Sequence, residues 1–261
     1  MTASPISLLD SDNCIRFNFK DFIQNYAIEL TISKGLETQV ISYKTSVHYT
    51  KTFDLSNYLV EVTNSEYLVN FGDPDGVFEI FFLQCGEALS RCVFEVSTNN
   101  EILELYNHDE ILNKWSDIKH KMSQEYTGEL LENEILKFDH KINNKNLLLS
   151  KLKKDSFLHH YFFPVFEIPF QGYELKGKES FSFFNVDYEE KVVLKVENEG
   201  KMNKDAHATI TKKLNTVETE ESLMPVDFYE TVYTFNEQLK IQRIEGKFAN
   251  KGRQYEFKIN S

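Results

Sequence analysis

The stretch Asp109–Ile142, DEILNKWSDIKHKMSQEYTGELLENEILKFDHKI, divides the chain. Ile111, Trp115, Ile118 and Met122 recur at spacings of four, three and four, and Leu131, Ile135, Phe138 and Ile142 repeat that rhythm. The period places each set on one helical face. Asp109 is suited to accept from the free amides of a first turn, so it reads as an N-cap. Gly128 and Asn143-Asn144 read as joints between helices. A third segment, Lys145 to Phe162, carries Leu148, Leu149, Leu152, Phe157 and Tyr161, and Pro164 ends it. Two or three helices therefore follow one another with no strand between them.

Upstream of this middle the chain reads as β. Val40, Tyr43, Val47 and Tyr49 alternate loosely with polar neighbours over Leu36–Phe53, and Leu59–Phe71 is rich in β-branched and aromatic residues. Gly72-Asp73-Pro74-Asp75-Gly76 is a strong turn signal. Val77–Leu83 (VFEIFFL) is expected to be a near-continuous apolar strand, and Arg91–Val96 and Ile102–Tyr106 a hairpin about Asn99-Asn100. Downstream of Pro169 the expected strands are Glu179–Val186, Lys191–Val196, Ala206–Leu214, Phe228–Phe235, Leu239–Phe248 and Gln254–Ile259. Asn198-Glu199-Gly200, Asn236-Glu237 and Asn250-Lys251-Gly252 separate them as in an antiparallel meander. Asn215–Asp227, acidic and without a basic residue, reads as a solvated loop.

Strands, then helices, then strands define an α+β class: an antiparallel β region, a helical middle and a second antiparallel meander. The expectation is one domain over residues 1–261, with a division into 1–168 and 169–261 as the alternative. Either two sheets flank the helices, or one curved sheet wraps them. In element order alone, the one-sheet version is similar to curved-sheet carriers of lipoproteins and apolar ligands.

Composition narrows the function. With 22 Phe, 13 Tyr and only 10 Gly and 5 Pro in 261 residues, the chain can build a core and is not of the disordered class. A net charge of −12, and only Arg16, Arg91, Arg243 and Arg253 as arginines, argue against nucleic acid as a partner. No apolar run approaches a membrane span of ~18 residues. Met1–Phe19 lacks the basic and apolar regions of a signal peptide. The odd trio Cys14, Cys85 and Cys92 does not suggest a disulfide framework, so the expected compartment is the cytoplasm. No phosphate-binding loop, dinucleotide fingerprint, HExxH, paired Cys-x-x-Cys or Gly-x-Ser-x-Gly occurs, and no cofactor is expected.

Five local features remain. Cys85, before Gly86, is a place where a nucleophile could sit, but packing at a strand end is the favoured reading. Asp117, His120, Asp155 and His159 have spacings that could converge on a metal, yet Lys119 and Lys121 point to a solvated face, and no metal site is assigned. Trp115 is read as core. Lys137–Lys154 holds six Lys and one Asp, so Lys137, Lys141, Lys151 and Lys154 form a candidate docking face for an acidic partner. Phe157–Phe170 (FLHHYFFPVFEIPF) is the most aromatic stretch; Phe162, Phe166 and Phe170 fill a helix–sheet seam or line an apolar pocket with His159 and His160 as polar handles. Enzymatic activity stays open. The leading expectation is a non-enzymatic adaptor, chaperone or assembly component that binds another protein. The alternatives are a carrier of a small apolar ligand and a thiol-dependent hydrolase.

Overall fold

Tyr26, Ile28 and Leu30 alternate with exposed residues and turn one face of a strand inward. The same alternation recurs from strand to strand and builds one sheet, covered on its inner face and open to solvent on the other. The computed structural model describes residues 9–16, 22–51, 57–183, 186–197, 208–214, 226–236, 238 and 240–261. In chain order the elements are β1 (Phe22–Lys34), β2 (Glu37–Lys51), β3 (Asn57–Val69), α1 (Val77–Glu87), β4 (Arg91–Ser97), β5 (Ile102–Leu105), α2 (His108–Glu125), α3 (Glu129–Asn143), α4 (Lys145–Leu152) and α5 (Ser156–Tyr161). There follow β6 (Glu174–Phe183), β7 (Val186–Glu197), β8 (Ala208–Leu214), β9 (Phe228–Phe235), β10 (Ile241–Asn250) and β11 (Arg253–Asn260).

All eleven strands join one antiparallel sheet in the order β5-β4-β3-β2-β1-β11-β10-β9-β8-β7-β6. The chain meanders from the centre to one edge, crosses through α2–α5, and meanders back from the other edge until β11 pairs with β1. The sheet is open, and its two edges, β5 and β6, are consecutive strands of the chain. The one-sheet version of the α+β expectation is therefore the observed one.

Hairpin chemistry sets the register. Lys251 (φ 48°) and Gly252 (φ 75°) turn β10 into β11, the paired left-handed residues that a tight hairpin matching strand twist requires. On the same hairpin Gly246 faces Phe257; a Cβ at Gly246 would sit 2.1 Å from the Phe257 ring, so only glycine lets that ring lie across the strand.

The inner face is filled mainly by the segment that leaves the helices. Asp155 accepts hydrogen bonds from the amides of Phe157 and Leu158 and starts α5. Tyr161 then meets Tyr26 of β1 at 5.3 Å, Phe162 meets Phe94 of β4 at 6.2 Å, and Phe163 meets Tyr233 of β9 at 4.1 Å. His160 stacks on Phe257 of β11 at 3.8 Å and 14°. One short segment thus touches strands from both halves of the sheet, and the buried apolar residues form a single cluster. Further out, Trp115 is buried on α2; its Nε1 donates to Asp139 on α3 at 2.9 Å, and its ring lies 5.0 Å from Phe138.

Several expectations need correction. Val77–Leu83 is not a strand but the body of α1: Phe81 and Cys85, four residues apart, are its buried pair, and Glu79 reaches back to the Gly76 amide at 3.4 Å. The alternation of β1 supplies a strand where none was expected. Lys145–Phe162 is two helices, α4 and α5, broken at Lys153–Asp155, and β6 and β7 start earlier than expected. The Asn198-Glu199-Gly200 break, residues 215–225 of the acidic loop, and most of Met1–Phe19 lie outside the described residues.

Candidate functional site

A cavity of about 470 Å³ opens between the two edges of the sheet. Ile102 of β5 lies on one side, Leu175, Gly177 and Glu179 of β6 on the other, and Phe162, Phe163, Pro164 and Ile168 form the roof. Val192 and Leu194 of β7 complete an apolar floor. On β6 the inward phase runs Leu175, Gly177, Glu179, with Leu175 and Gly177 opposite Leu194 and Val192 of β7. Lys176 and Lys178, in the other phase of the strand, also border the site.

Gly177 shapes this wall. Nothing lies within 4 Å of where its Cβ would be, and its backbone is not in the left-handed region. Neither strain nor crowding explains a glycine there. Its effect is to leave the inward face of an edge strand open between two side chains that reach inward.

The polar end of the cavity is a buried charge cluster. Lys212, on the inward phase of β8 with Ile210, has a side chain only 2% exposed. Its Nζ donates to Oε1 of Glu179 at 2.7 Å, and His159 Nε2 approaches the same oxygen at 2.6 Å. Tyr229 Oη donates to it at 3.3 Å. The Lys212 Nζ also lies 5.4 Å from the Phe163 ring centroid and 5.6 Å from those of Tyr229 and Tyr233, a cage of π faces that favours a cation. Burial alone would push the Glu179 carboxyl up; the Lys212 charge and the hydrogen bonds from His159 and Lys212 reverse this and hold it at about 2. Burial lowers Lys212, and the Glu179 charge offsets part of that shift. The cluster is therefore an ion pair set into an apolar wall.

The residues singled out from sequence are dispersed. Phe162 and His159 line the cavity. Phe166 and Phe170 are buried in the core beyond it, with Phe166 6.4 Å from Phe235. His160 is stacked under Phe257, and burial pushes its imidazole well below the ordinary range, with the His159 and Lys212 charges acting in the same sense. It is a core residue, not a rim handle. Lys137 is exposed and pairs with Glu134 at 2.6 Å; Lys141 is in the last turn of α3, Lys151 is in the last turn of α4, and Lys154 follows α4.

Asp117 and His120 are exposed on α2, Asp155 caps α5 and His159 serves Glu179, so these four do not converge. Among the described residues no group of three or more His, Cys, Asp and Glu is placed to hold a metal. Cys85 is buried against Met122, Sγ to Sδ 3.9 Å, and burial pushes its thiol up to about 11, away from the thiolate that hydrolysis needs.

Glu179, Lys212 and Gly177 were not singled out from sequence. Lys212 had a local signal: in Ala208–Leu214 it shares the strand phase of Ile210 and Leu214, where a charge is out of place.

No protein-family model matches the chain, and no curated protein sequence matches it. Among solved structures it is similar to the crystal structure of a DUF1329 family protein from Desulfovibrio piger, with 8% identity over 93% of this chain and 85% of that chain and a TM-score of 0.27. A likeness of that order carries no argument about activity. Among the described residues no helix is long and apolar enough to cross a membrane.

Proposed function

We propose that this protein is a single-domain, cytoplasmic, non-enzymatic binding protein that takes up a small apolar molecule between the edges of its open sheet. The carrying observation is the cavity itself. Its volume lies within the range of small-molecule sites, about 300–1,000 Å³, and its lining joins apolar residues such as Ile102, Phe162, Val192 and Leu194 to charged ones that include Glu101, Lys153, Glu179 and Lys212. Gly177 supports the same reading, because an inward position left bare in an edge strand makes room for something other than a side chain. Native mass spectrometry of freshly purified protein tests it. A co-purifying small molecule that is lost on unfolding is the expected result; a bare chain that also fails to take up apolar molecules added afterwards would remove the reading.

A second reading, an adaptor for another protein, has its own observation. Val77, Phe78, Ile80 and Phe82 of α1 are 37–59% exposed, which is unusual for four large apolar residues on one short helix. The face of α1 supports this reading better than the lysines of α3 and α4, since Lys137 is already paired. Replacing Phe78 and Phe82 by Gln is expected to abolish capture of any co-purifying chain, and unchanged capture would dismiss that face.

A further inference from the structure

We propose that Lys212 binds an apolar aldehyde covalently and reversibly as a protonated imine at the polar end of the cavity. This rests on the reading of the cavity as a ligand site and names the class of ligand.

The position of the lysine is the first reason. A strand phase otherwise occupied by Ile210 and Leu214 carries a charged side chain that is 2% exposed yet contributes to the wall of the cavity. Buried ion pairs can often be exchanged for packed apolar side chains without loss of stability. A fold that only needed to close this face would do as well with an aliphatic residue.

The surroundings of Nζ are the second reason. Glu179 at 2.7 Å is the counterion of a cation, and His159 holds the same carboxylate oxygen at 2.6 Å. Three aromatic faces at 5.4–5.6 Å favour a cationic nitrogen whether it is an ammonium or an iminium. Desolvation lowers the affinity of Lys212 for its proton, which eases access to the neutral amine.

The step balances without a further reagent. The Lys212 ammonium releases one proton to water, and the freed lone pair of Nζ forms a bond to the aldehyde carbon. The second amine proton and one returned from water go to the former carbonyl oxygen. The carbon–oxygen bond breaks and one water leaves. Nζ then keeps a single hydrogen and a double bond to carbon. Ammonium plus aldehyde gives iminium plus water, so the site holds one positive charge opposite Glu179 before and after, and nothing is oxidised or reduced. The apolar remainder of the ligand lies against Phe162, Val192 and Leu194 beside the open position of Gly177.

Dodecanal with cyanoborohydride, followed by peptide mapping, tests this on the intact chain. Reduction fixes an imine as a secondary amine, and Lys212 is expected to be modified more than the exposed Lys137 by roughly tenfold or more, a small part of the advantage that positioned groups reach. Lys212→Arg keeps a cation opposite Glu179 but cannot form an imine, so it should lose the adduct, while uptake of a neutral solvatochromic dye is read on the unmodified protein. Equal modification of Lys212 and Lys137 with the dye bound would overturn the covalent step and leave the cavity reading intact. Exclusion of the dye from the unmodified protein would overturn both.

Discussion

Lys212 of β8 and Glu179 of β6 meet at 2.7 Å with β7 lying between their strands in the sheet. The pair links β6 and β8 to α5, because His159 of that helix approaches the same oxygen at 2.6 Å. Lys212→Met alone leaves a buried carboxylate without its cation and is expected to cost about 3–5 kcal/mol in chemical denaturation. Adding Glu179→Gln should restore most of that loss. Costs that simply add would show that the two groups do not act as a pair.

The same pair has a sign in acid. Glu179 is held at about 2 in the fold against an ordinary value of 4.5. Its stabilisation is therefore complete above about pH 4.5 and is lost as pH falls toward 2. In the Lys212→Met, Glu179→Gln protein this part of the acid transition should be shallower, as measured by denaturation midpoints at stepwise lower pH.

His160 acts in a different window. Its ring is stacked on Phe257 at 3.8 Å, and Nδ1 has no hydrogen-bond partner among the described residues. Burial keeps it neutral in the fold, so below about pH 6.5 the unfolded chain takes up a proton that the native ring refuses. Stability should fall with acidification there, by at most about 1.4 kcal/mol per pH unit for this one group. His160→Phe preserves the stack and should flatten the slope between about pH 6.5 and 5. An unchanged slope would mean that the histidine is protonated in the fold.

Trp115 offers a test of the helical layer. With its indole donated to Asp139 and its ring against Phe138, native emission should be blue-shifted and shielded from a polar quencher. Trp115→Ala is expected to cost about 3–5 kcal/mol. Emission already at the unfolded wavelength in the native protein would contradict the burial.

These elements differ in how plainly the sequence displays them. The faces of α2 and α3 were legible because Ile111, Trp115 and Met122, and Ile135 and Ile142, are both periodic and buried. α1 was misread because a run of seven mostly apolar residues satisfies strand and helix alike, and the discriminating pair, Phe81 and Cys85, reaches past the end of that run. β1 was missed although Tyr26, Ile28 and Leu30 alternate cleanly. The candidate site lay deeper. Glu179 and Lys212 are 33 residues apart, and only the registers of β6 on β7 and β7 on β8 bring them together. His159 was singled out for its place in an aromatic stretch, while its carboxylate partner lay on a strand that begins earlier than its pattern suggested.

The cysteines provide a chemical check on the core. Burial raises Cys85 to about 11 and Cys92 to about 12, so both should react slowly with a thiol reagent at neutral pH and rapidly once the chain is unfolded. Fast native labelling of Cys85 would show that α1 detaches from α2.

The central claim is that the space between the sheet edges receives an apolar ligand, and Gly177 allows it to be closed by one substitution. A phenylalanine there meets no atom within 4 Å at its Cβ and needs no unusual backbone, so Gly177→Phe should fill the cavity without unfolding the sheet. Titration of a neutral solvatochromic dye into both proteins, with melting temperatures measured alongside, is the most direct measurement. Saturable binding to the wild type and its loss in Gly177→Phe at an unchanged melting temperature is the predicted result; equal binding by both folded proteins, or none by either, would contradict the account.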